Sequence, residues 1–258
     1  MTRAIRMRGY VVKIVVIGGT GLIGSKLVAV LGEHGHEAVP AAPSTGVNTM
    51  TGEGLAEVLD GAAVVVDVSN SPSFADDAVM EFFRTATTNL LGYSAKAGVT
   101  HYVALSVVGT ERLSESGYFR AKIVQEKLIR ESGLPYSIVH ATQFFEFVKT
   151  IADFSTVDGT VHLPPVLIQP MVSDDVAAAV GRVAEEEPLH GIREIAGPGQ
   201  FRLDELVRIG LEAKGDPREV VADERALYYG VRLGERTLLP GPDAQLGEIT
   251  FEEWLARQ

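Results

Sequence analysis

The chain has 258 residues, a net charge of −11, no cysteine and 46% hydrophobic residues. Its length suits one large α/β domain or two small ones, and its apolar content is ample for a core. Disulfides, thiolate metal sites and cysteine nucleophiles are excluded, the acidic balance argues against nucleic-acid binding through a general basic surface, and no stretch approaches the ~18 uninterrupted apolar residues of a membrane span.

The first thirteen residues hold Arg3, Arg6, Arg8 and Lys13. They look like the charged start of a signal peptide. Lys13 breaks the apolar run, however, and no small-residue cleavage site follows, so a short extended or disordered leader is expected. Residues 11–17 are β-branched and almost wholly apolar, the pattern of a parallel strand buried on both faces. Gly18, Gly21 and Gly24 come next, three apart, and a helical stripe of Leu22, Ile23, Leu27, Val30 and Leu31 leads to His34. Each glycine has its own task. Gly18 takes φ values closed to other residues as the strand turns. Gly21 leaves room for a pyrophosphate to approach the backbone, and Gly24 lets the helix pack close to the strand. Bare N–H groups and the positive helix end then face the phosphates. The spacing is G-x-x-G-x-x-G, not the commoner G-x-G-x-x-G. The strand before it and the helix after it favour a dinucleotide-binding turn over a plain one.

A second strand is expected over residues 36–42. It is expected to be short, ending near Val39, because Pro40 cannot donate to an interior ladder. An NAD site usually places Asp or Glu at that strand's end to hold the ribose. Here the chain reads Ala41-Ala42-Pro43-Ser44-Thr45-Gly46, without a carboxylate. Ser44, Thr45 and neighbouring N–H groups suit a 2′-phosphate, so NADP is favoured over NAD, although the same residue types also make ordinary turns.

Residues 54–59 read as a short helix and 63–68 as a third buried strand. That strand ends in the polar loop Ser69-Asn70-Ser71-Pro72-Ser73, at the sheet edge where ligands bind. Asp67, inside the apolar run, calls for hydrogen-bond partners. A long helix over 75–97 stops at Gly98, and a fourth strand, 101–105, ends at Ser106. Residues 117–130 form a helix with Ala121, Ile123, Val124, Leu128 and Ile129 on its apolar stripe. Residues 136–140 are a fifth strand, and 141–147 a loop entering another helix. This alternation argues for a doubly wound parallel sheet of the α/β class. Beyond about residue 155 the pattern is less regular. Residues 161–171 are extended and hold three prolines. Ser173-Asp174-Asp175 is expected to cap a helix over 176–187. Helices are also expected at 203–214 and 251–257, with short strands at 193–196 and 219–222. One domain is expected over 1–258, with a core of about 11–155 and a smaller C-terminal lobe of about 156–258 closing over the cofactor edge.

Ser106, Tyr118 and Lys122 stand out chemically. Tyr118 and Lys122 are four apart and share a helix face. A cation about one helical turn away lowers the pKa of a phenol. Such a tyrosine can exchange a proton with a carbonyl or alcohol oxygen as hydride moves at the adjacent carbon. A serine hydroxyl can polarise the same oxygen, and the lysine can bond the nicotinamide ribose. The spacing alone also fits a surface tyrosine beside a solvated lysine. What singles it out is that Ser106 ends a strand and Tyr118 opens the next helix, so both can face the crevice. His140, at a strand end, can bind substrate or move protons, although a histidine satisfied by backbone is the commoner arrangement. Phe144, Phe145, Phe147 and Phe154 make either an apolar substrate wall or core. His34, His36, His101, His162 and His190 lack metal-ligand spacing, so no metal is expected. Asp76-Asp77 and Glu185-Glu186-Glu187 read as helix-start and surface charges.

Five segments carry a family likeness: Gly18-Gly19-Thr20-Gly21-Leu22-Ile23-Gly24, Leu105-Ser106-Val107-Val108-Gly109, Tyr118-Phe119-Arg120-Ala121-Lys122, Ala141-Thr142-Gln143-Phe144-Phe145-Glu146 and Val172-Ser173-Asp174-Asp175-Val176-Ala177. Through them the chain resembles the short-chain dehydrogenase/reductase superfamily, in its atypical branch of NmrA-like NAD(P)-binding proteins, most strongly over 12–180. The resemblance implies a Rossmann fold whose turn, with Gly18, Thr20, Gly21, Leu22, Ile23 and Gly24, holds the pyrophosphate. It implies that residues 41–45, with Ser44 and Thr45, surround the adenosine ribose, and that Val68, Ser69 and Asn70 line the adenine and ribose. Ala141, Thr142 and Phe144 would lie beside the nicotinamide, Lys122 would hold its ribose, and Ser106 and Tyr118 would be the catalytic pair. The branch commonly has arginine and proline where this chain has His140-Ala141. It often lacks the tyrosine, and some members bind the cofactor only to sense it.

The expected function is a cytoplasmic, NADPH-dependent reductase of a small apolar carbonyl or quinone, with NAD as the alternative cofactor. Tyr118 would donate the proton and Ser106 orient the carbonyl. No nucleic-acid or membrane partner is expected. The rival from another class is a non-catalytic NADP(H)-binding regulator acting through a protein partner. A third reading, a nucleotide-sugar epimerase or dehydratase, is opposed by the short final lobe and the lack of an obvious basic diphosphate site.

Overall fold

The computed structural model describes residues 11–258, so the expectation for Arg3, Arg6 and Arg8 lies outside the described residues. Strands β1 (Lys13–Ile17), β2 (Glu37–Ala41), β3 (Val64–Asp67), β4 (His101–Val107) and β5 (Tyr136–Ala141) alternate with α1 (Leu22–Glu33), α2 (Leu55–Leu59), α3 (Asp76–Ala97) and α4 (Gly117–Glu131). Then follow α5 (Val148–Phe154), β6 (Thr156–Val157), β7 (Thr160–Leu163), β8 (Leu167–Ile168), α6 (Ser173–Glu185), β9 (Gly191–Ala196), β10 (Phe201–Arg202), α7 (Leu203–Ala213), β11 (Val220–Ala222), β12 (Gln245–Leu246) and α8 (Phe251–Leu255). The main sheet has seven strands in the order β12-β9-β5-β4-β3-β1-β2, and every pair in it is parallel. This is the doubly wound α/β sheet that the alternation predicts.

The continuous apolar runs have a direct cause. In β1, Ile14 and Val16 enter one core with Leu27, Leu31, Val176 and Val180, under α1 and α6. Val15 and Ile17 enter the other with Leu55, Leu59, Leu90 and Tyr102, under α2 and α3. A strand buried on both faces has no polar alternation to show.

Pro40 does not shorten β2, contrary to expectation; the strand runs on to Ala41. It is the edge strand and pairs with β1 alone. Glu37 N–H donates to Val12 and the Ala41 carbonyl accepts from Gly18. Odd-numbered residues therefore face β1, and the donor-less nitrogen of Pro40 faces the open side, where it costs no ladder bond.

The helix expected to be capped by Ser173-Asp174-Asp175 instead begins at Ser173 without a side-chain cap of its own. Glu146 supplies the cap from another segment, accepting from both the N–H and the hydroxyl of Ser173. Asp174 is free to pair with Lys26 at 2.6 Å, and Asp175 accepts the N–H groups of Glu248 and Ile249.

After residue 155 the chain divides its elements. β9 and β12 rejoin the main sheet, and α6 lies against α1. The small sheets β11-β7-β6 and β10-β8 build a separate apolar core with α5, α7 and α8, centred on Phe145, Phe251 and Trp254. Phe145 is thus core and not substrate wall.

Candidate cofactor and catalytic crevice

β2 and β3 lie on opposite sides of β1, so the sheet changes its direction of growth at the carboxyl ends of β1 and β3. In an open α/β sheet ligands bind at such a point, and the glycine turn sits there. Gly18 has φ +77°, and a Cβ on it would come within 2.9 Å of the Ser69 Cα. A Cβ on Gly24 would stand 2.1 Å from the Gly18 carbonyl oxygen, so this glycine allows α1 to close on the turn. Gly21 differs, because a Cβ there meets only the Gly18 oxygen, at 3.3 Å, and nothing else. Its outer side is open. α1 begins without a side-chain cap or an acidic residue in its first turn, so its leading N–H groups are unclaimed by side chains. Thr20, Gly21 and Leu22 are exposed at this cradle, and Ile23 and Gly24 are buried beneath it. Gly19 carries a constraint the sequence did not reveal. A Cβ on it would lie 2.6 Å from the Pro40 Cα, so the turn is pressed against β2.

The expected ribose residues separate into two kinds. Ser44 is exposed and its hydroxyl reaches Thr20 Oγ1 at 3.4 Å, joining the end of β2 to the glycine turn. The Thr45 hydroxyl is consumed by its own turn, accepting from Ala42 N–H at 2.9 Å and donating to the Ala42 carbonyl at 3.0 Å. Beyond β3, Ser69 is fixed by Asp67, which accepts both its N–H and its hydroxyl, while Val68 is half-buried and Asn70 exposed. At the other end of the crevice, Ala141 is the last residue of β5 and is buried, and Phe144 bridges to Met171. The hydroxyl of Thr142 and the side-chain carbonyl of Gln143 are buried there without a partner. Orphaned polar atoms of this kind call for a ligand or water.

Ser106, Tyr118 and Lys122 all lie at this crevice, but the structure does not join them. The Lys122 ammonium donates to the Leu105 carbonyl at 3.0 Å and to Gln125, and lies 4.5 Å over the Phe83 ring. Burial brings its pKa down to about 8, against the opposing charges of Asp67 and Glu126. The Tyr118 ring packs on Phe74, Phe83 and Phe119. The phenol is therefore not activated by the lysine as expected. Phe83 contacts both groups, and burial raises the Tyr118 pKa well above its ordinary value, with Tyr229 adding to the rise. Asp67 is the hub the sequence called for, since it also accepts from Tyr102 at 3.3 Å and from Gln125 at 3.1 Å.

His140 is not satisfied by backbone. Its Nε2 lies 2.8 Å from Glu126 Oε1, the oxygen that also accepts the Ser106 hydroxyl at 2.6 Å. Arg130 holds Oε2 at 2.7 Å. Burial pushes the Glu126 carboxyl up, but His140, Ser106 and Arg130 overcome it and hold the pKa below the ordinary value. The sequence reading missed Glu126. It lies four residues after Lys122 and eight after Tyr118, and this helical spacing from both was the available signal.

A cavity of about 380 Å³ opens beside this region, lined by Ile151, Phe154, Ser155, Leu227, Tyr228 and Tyr229, with no charged side chain. Phe154 and Tyr229 are in ring contact yet 68% and 42% exposed. Phe147 is also exposed and stacks on Phe144. Tyr229 holds φ +46° beside Gly230 at +82°, a strained conformation for a tyrosine, at the tip of the Tyr228–Val231 turn. Among the described residues no helix is long and apolar enough to cross a membrane, and no His/Asp/Glu group is arranged to hold a metal.

No family model matches the chain. A curated relative, photosystem II assembly factor Ycf39 of Cyanophora paradoxa, is 25% identical over 147 residues, covering 52% of this chain and 46% of that protein. The match thus spans about half the length of that relative. Among solved structures, MoeE5 in complex with UDP-glucose and NAD aligns with a TM-score of 0.72 at 18% identity, over 95% of this chain and 96% of that one. UDP-glucose 4-epimerase of Thermotoga maritima gives 0.71 at 19%, over 94% and 96%. dTDP-4-dehydrorhamnose reductase of Bacillus anthracis, in complex with NADP, gives 0.70 at 13%, over 96% and 98%. At these identities the likeness is one of fold. It bears out the doubly wound α/β sheet that the motifs imply. The residues present fit a nicotinamide dinucleotide: an open backbone cradle at Gly21 lies at one end of the crevice, and unpaired buried polar atoms at Thr142 and Gln143 lie at the other.

Proposed function

We propose that the protein is an NADP(H)-dependent reductase of small, apolar carbonyl or quinone compounds. The observation that supports this best is the bare cradle at Gly21, on the same sheet edge as Ser106 and the start of α4. A bound nicotinamide supplies the hydride. The open space over Gly21 and the first N–H groups of α1 receive the phosphate oxygens, and Ser44 with Thr20 takes the 2′-phosphate side. Thr142 and Gln143 offer their free polar atoms at the nicotinamide end. Lys122 turns from Gln125 to the ribose. Ser106 and Tyr118 bring two hydroxyls to the substrate oxygen, and Tyr118 stays protonated through the physiological range. The uncharged aromatic cavity suits an apolar substrate, and the lobe after residue 155 shields it. The same lining disfavours a nucleotide diphosphate in that cavity, since no cation faces it.

A second reading has its own support. Lys122 is engaged by protein groups and the phenol is not activated, which suits a cofactor-binding regulator acting through a protein partner, and the matched relative carries the name of an assembly factor. The test is to follow nicotinamide absorbance with NADPH and a panel of quinones and aldehydes. Turnover that is lost in Lys122→Met supports the reductase. Tight NADPH binding without turnover, with a co-purifying partner, supports the regulator.

A further inference from the structure

We propose that Glu126 and His140 form a proton relay to the Ser106 hydroxyl, so that the proton reaching the substrate oxygen arrives through Ser106 and not from Tyr118. The proposal rests on the reductase reading above. Its geometry is independent of any cofactor. Ser106 and His140 are directly paired across β4 and β5, and Glu126 reaches down from α4 to meet both at one oxygen, 2.6 Å and 2.8 Å away. Ser106 and Glu126 are each 2% exposed, and His140 is 7% exposed. Replacing a buried ion pair with apolar side chains of similar volume is often neutral or stabilising, so packing alone gives no reason for a carboxylate and an imidazole behind this serine. Among the described residues Tyr118 bonds neither Ser106 nor Lys122; its surroundings are aromatic rings.

The step balances as follows. The carbonyl carbon takes a hydride from a reduced nicotinamide, and the C=O π pair becomes a lone pair on oxygen. The Ser106 O–H bond breaks and its proton goes to that oxygen. Ser106 regains a proton from Glu126 Oε1, which takes one from the protonated Nε2 of His140. A proton from solution, entering at the exposed margin of His140, replaces the one it gives up, so the carbonyl gains one hydride and one proton in all. The carbonyl is reduced by two electrons, and the nicotinamide is oxidised. Glu126 is a carboxylic acid only in passing, because its partners favour the carboxylate. Arg130 holds its second oxygen, and Lys122 on α4, Asp67 on β3 and Glu194, the register partner of His140 on β9, are further charges near the relay. Glu126 and His140 are positioning residues, since they act through Ser106.

The experiment measures kcat and KM for the full chain with NADPH and a quinone that the wild type reduces, comparing His140→Gln, Glu126→Gln and Tyr118→Phe. His140→Gln is expected to lower kcat at least ~10-fold with KM little changed. Tyr118→Phe, which removes one of the two hydroxyls at the substrate oxygen, is expected to lower kcat less than His140→Gln does. Nitrogen-15 NMR of the cofactor-free protein gives a second readout: the His140 Nε2 signal is expected to be that of a protonated, hydrogen-bonded nitrogen, and to change in Glu126→Gln. A wild-type kcat in His140→Gln overturns the relay, as does a Tyr118→Phe variant that alone abolishes turnover. Either result leaves the reductase reading standing. A wild type that binds NADPH but oxidises none with any acceptor removes that reading and the relay together.

Discussion

The two ends of the crevice are built by different means. At the β1–α1 turn the site is backbone: the first N–H groups of α1 stand without side-chain caps beside the open Gly21, while Gly18, Gly19 and Gly24 answer to close neighbours. Around β4, α4 and β5 the site is side chains, with Asp67, Gln125 and Lys122 in one buried chain and Ser106, Glu126 and His140 in another. Asp67 ties the two ends together, since it also fixes Ser69 against Gly18. The first end depends on what is missing from a residue. The second depends on which charges and hydroxyls the fold brings together.

Two single-methyl substitutions test the backbone-built end most severely. Gly24→Ala places a Cβ 2.1 Å from the Gly18 carbonyl oxygen. It is expected to cost about 4 kcal/mol, above the ordinary overpacking range, and to lower the urea midpoint accordingly. Gly21→Ala meets no more than a 3.3 Å neighbour. It is expected to keep stability within about 1 kcal/mol while weakening NADPH binding by at least ~10-fold in calorimetry. If the two variants behaved alike, the distinction between a packing glycine and a ligand-facing glycine would be lost.

The opposite edge of the sheet, at the amino ends of β4 and β5, is expected to be acid-sensitive. His101 opens β4, with Nε2 2.8 Å from the Ser137 hydroxyl on β5. Burial and then the nearby His190 lower its pKa to about 4, against a backbone carbonyl at Ala184. Between that value and about 6.5 the unfolded chain binds the extra proton and the folded chain does not, so stability rises with pH across the window. It is complete above about 6.5 and is lost as pH falls toward 4, a difference of about 3 kcal/mol. Urea unfolding of wild type and His101→Gln at both ends of the window is the check, and the variant should show the smaller slope.

These contrasts also explain what could be read from the sequence. Gly18, Gly21 and Gly24 announce themselves because a missing Cβ is a property of the residue, and the β-branched run before them fixes the strand. The buried strands β1, β3, β4 and β5 were legible for the same reason. Glu126 was not, because its partners Ser106 and His140 are 20 and 14 residues away and meet it only once α4 lies on the sheet. Nor was the fate of Tyr118: its four-residue spacing from Lys122 was correct, but Phe83, from α3, packs against both. Pro40 misled because edge and interior strands look alike in a sequence. β6, β8, β10 and β12, at two residues each, are too short to show a period.

Lys122 offers a smaller effect that depends on both ends. Its pKa of about 8 means that its charge is lost as pH rises through that value. The folded state then binds fewer protons than the unfolded one, so stability increases above pH 8 while attraction for an anionic cofactor declines. NADPH affinity is expected to fall roughly three- to tenfold between about pH 7 and about pH 9.5. In Lys122→Arg it should stay level over that range, because a guanidinium does not deprotonate there.

The finest contrast separates two adjacent hydroxyls that the sequence treated as a pair. Ser44 is exposed and touches Thr20 only at 3.4 Å, so its hydroxyl can exchange that weak contact for a phosphate oxygen. The Thr45 hydroxyl already accepts and donates within its own turn. Ser44→Ala should therefore narrow the preference for NADP over NAD by about 1.5 kcal/mol, one hydrogen bond to a charged group at the low end of its range, and leave stability unchanged. Thr45→Ala should do the reverse, lowering stability by about 1 kcal/mol through the lost turn bond while the ratio of the two affinities holds. Calorimetric titration of both dinucleotides into both variants decides it. A change in the NADP to NAD ratio on removing Thr45 alone would mean that the turn itself, and not the Ser44 hydroxyl, reads the 2′-phosphate.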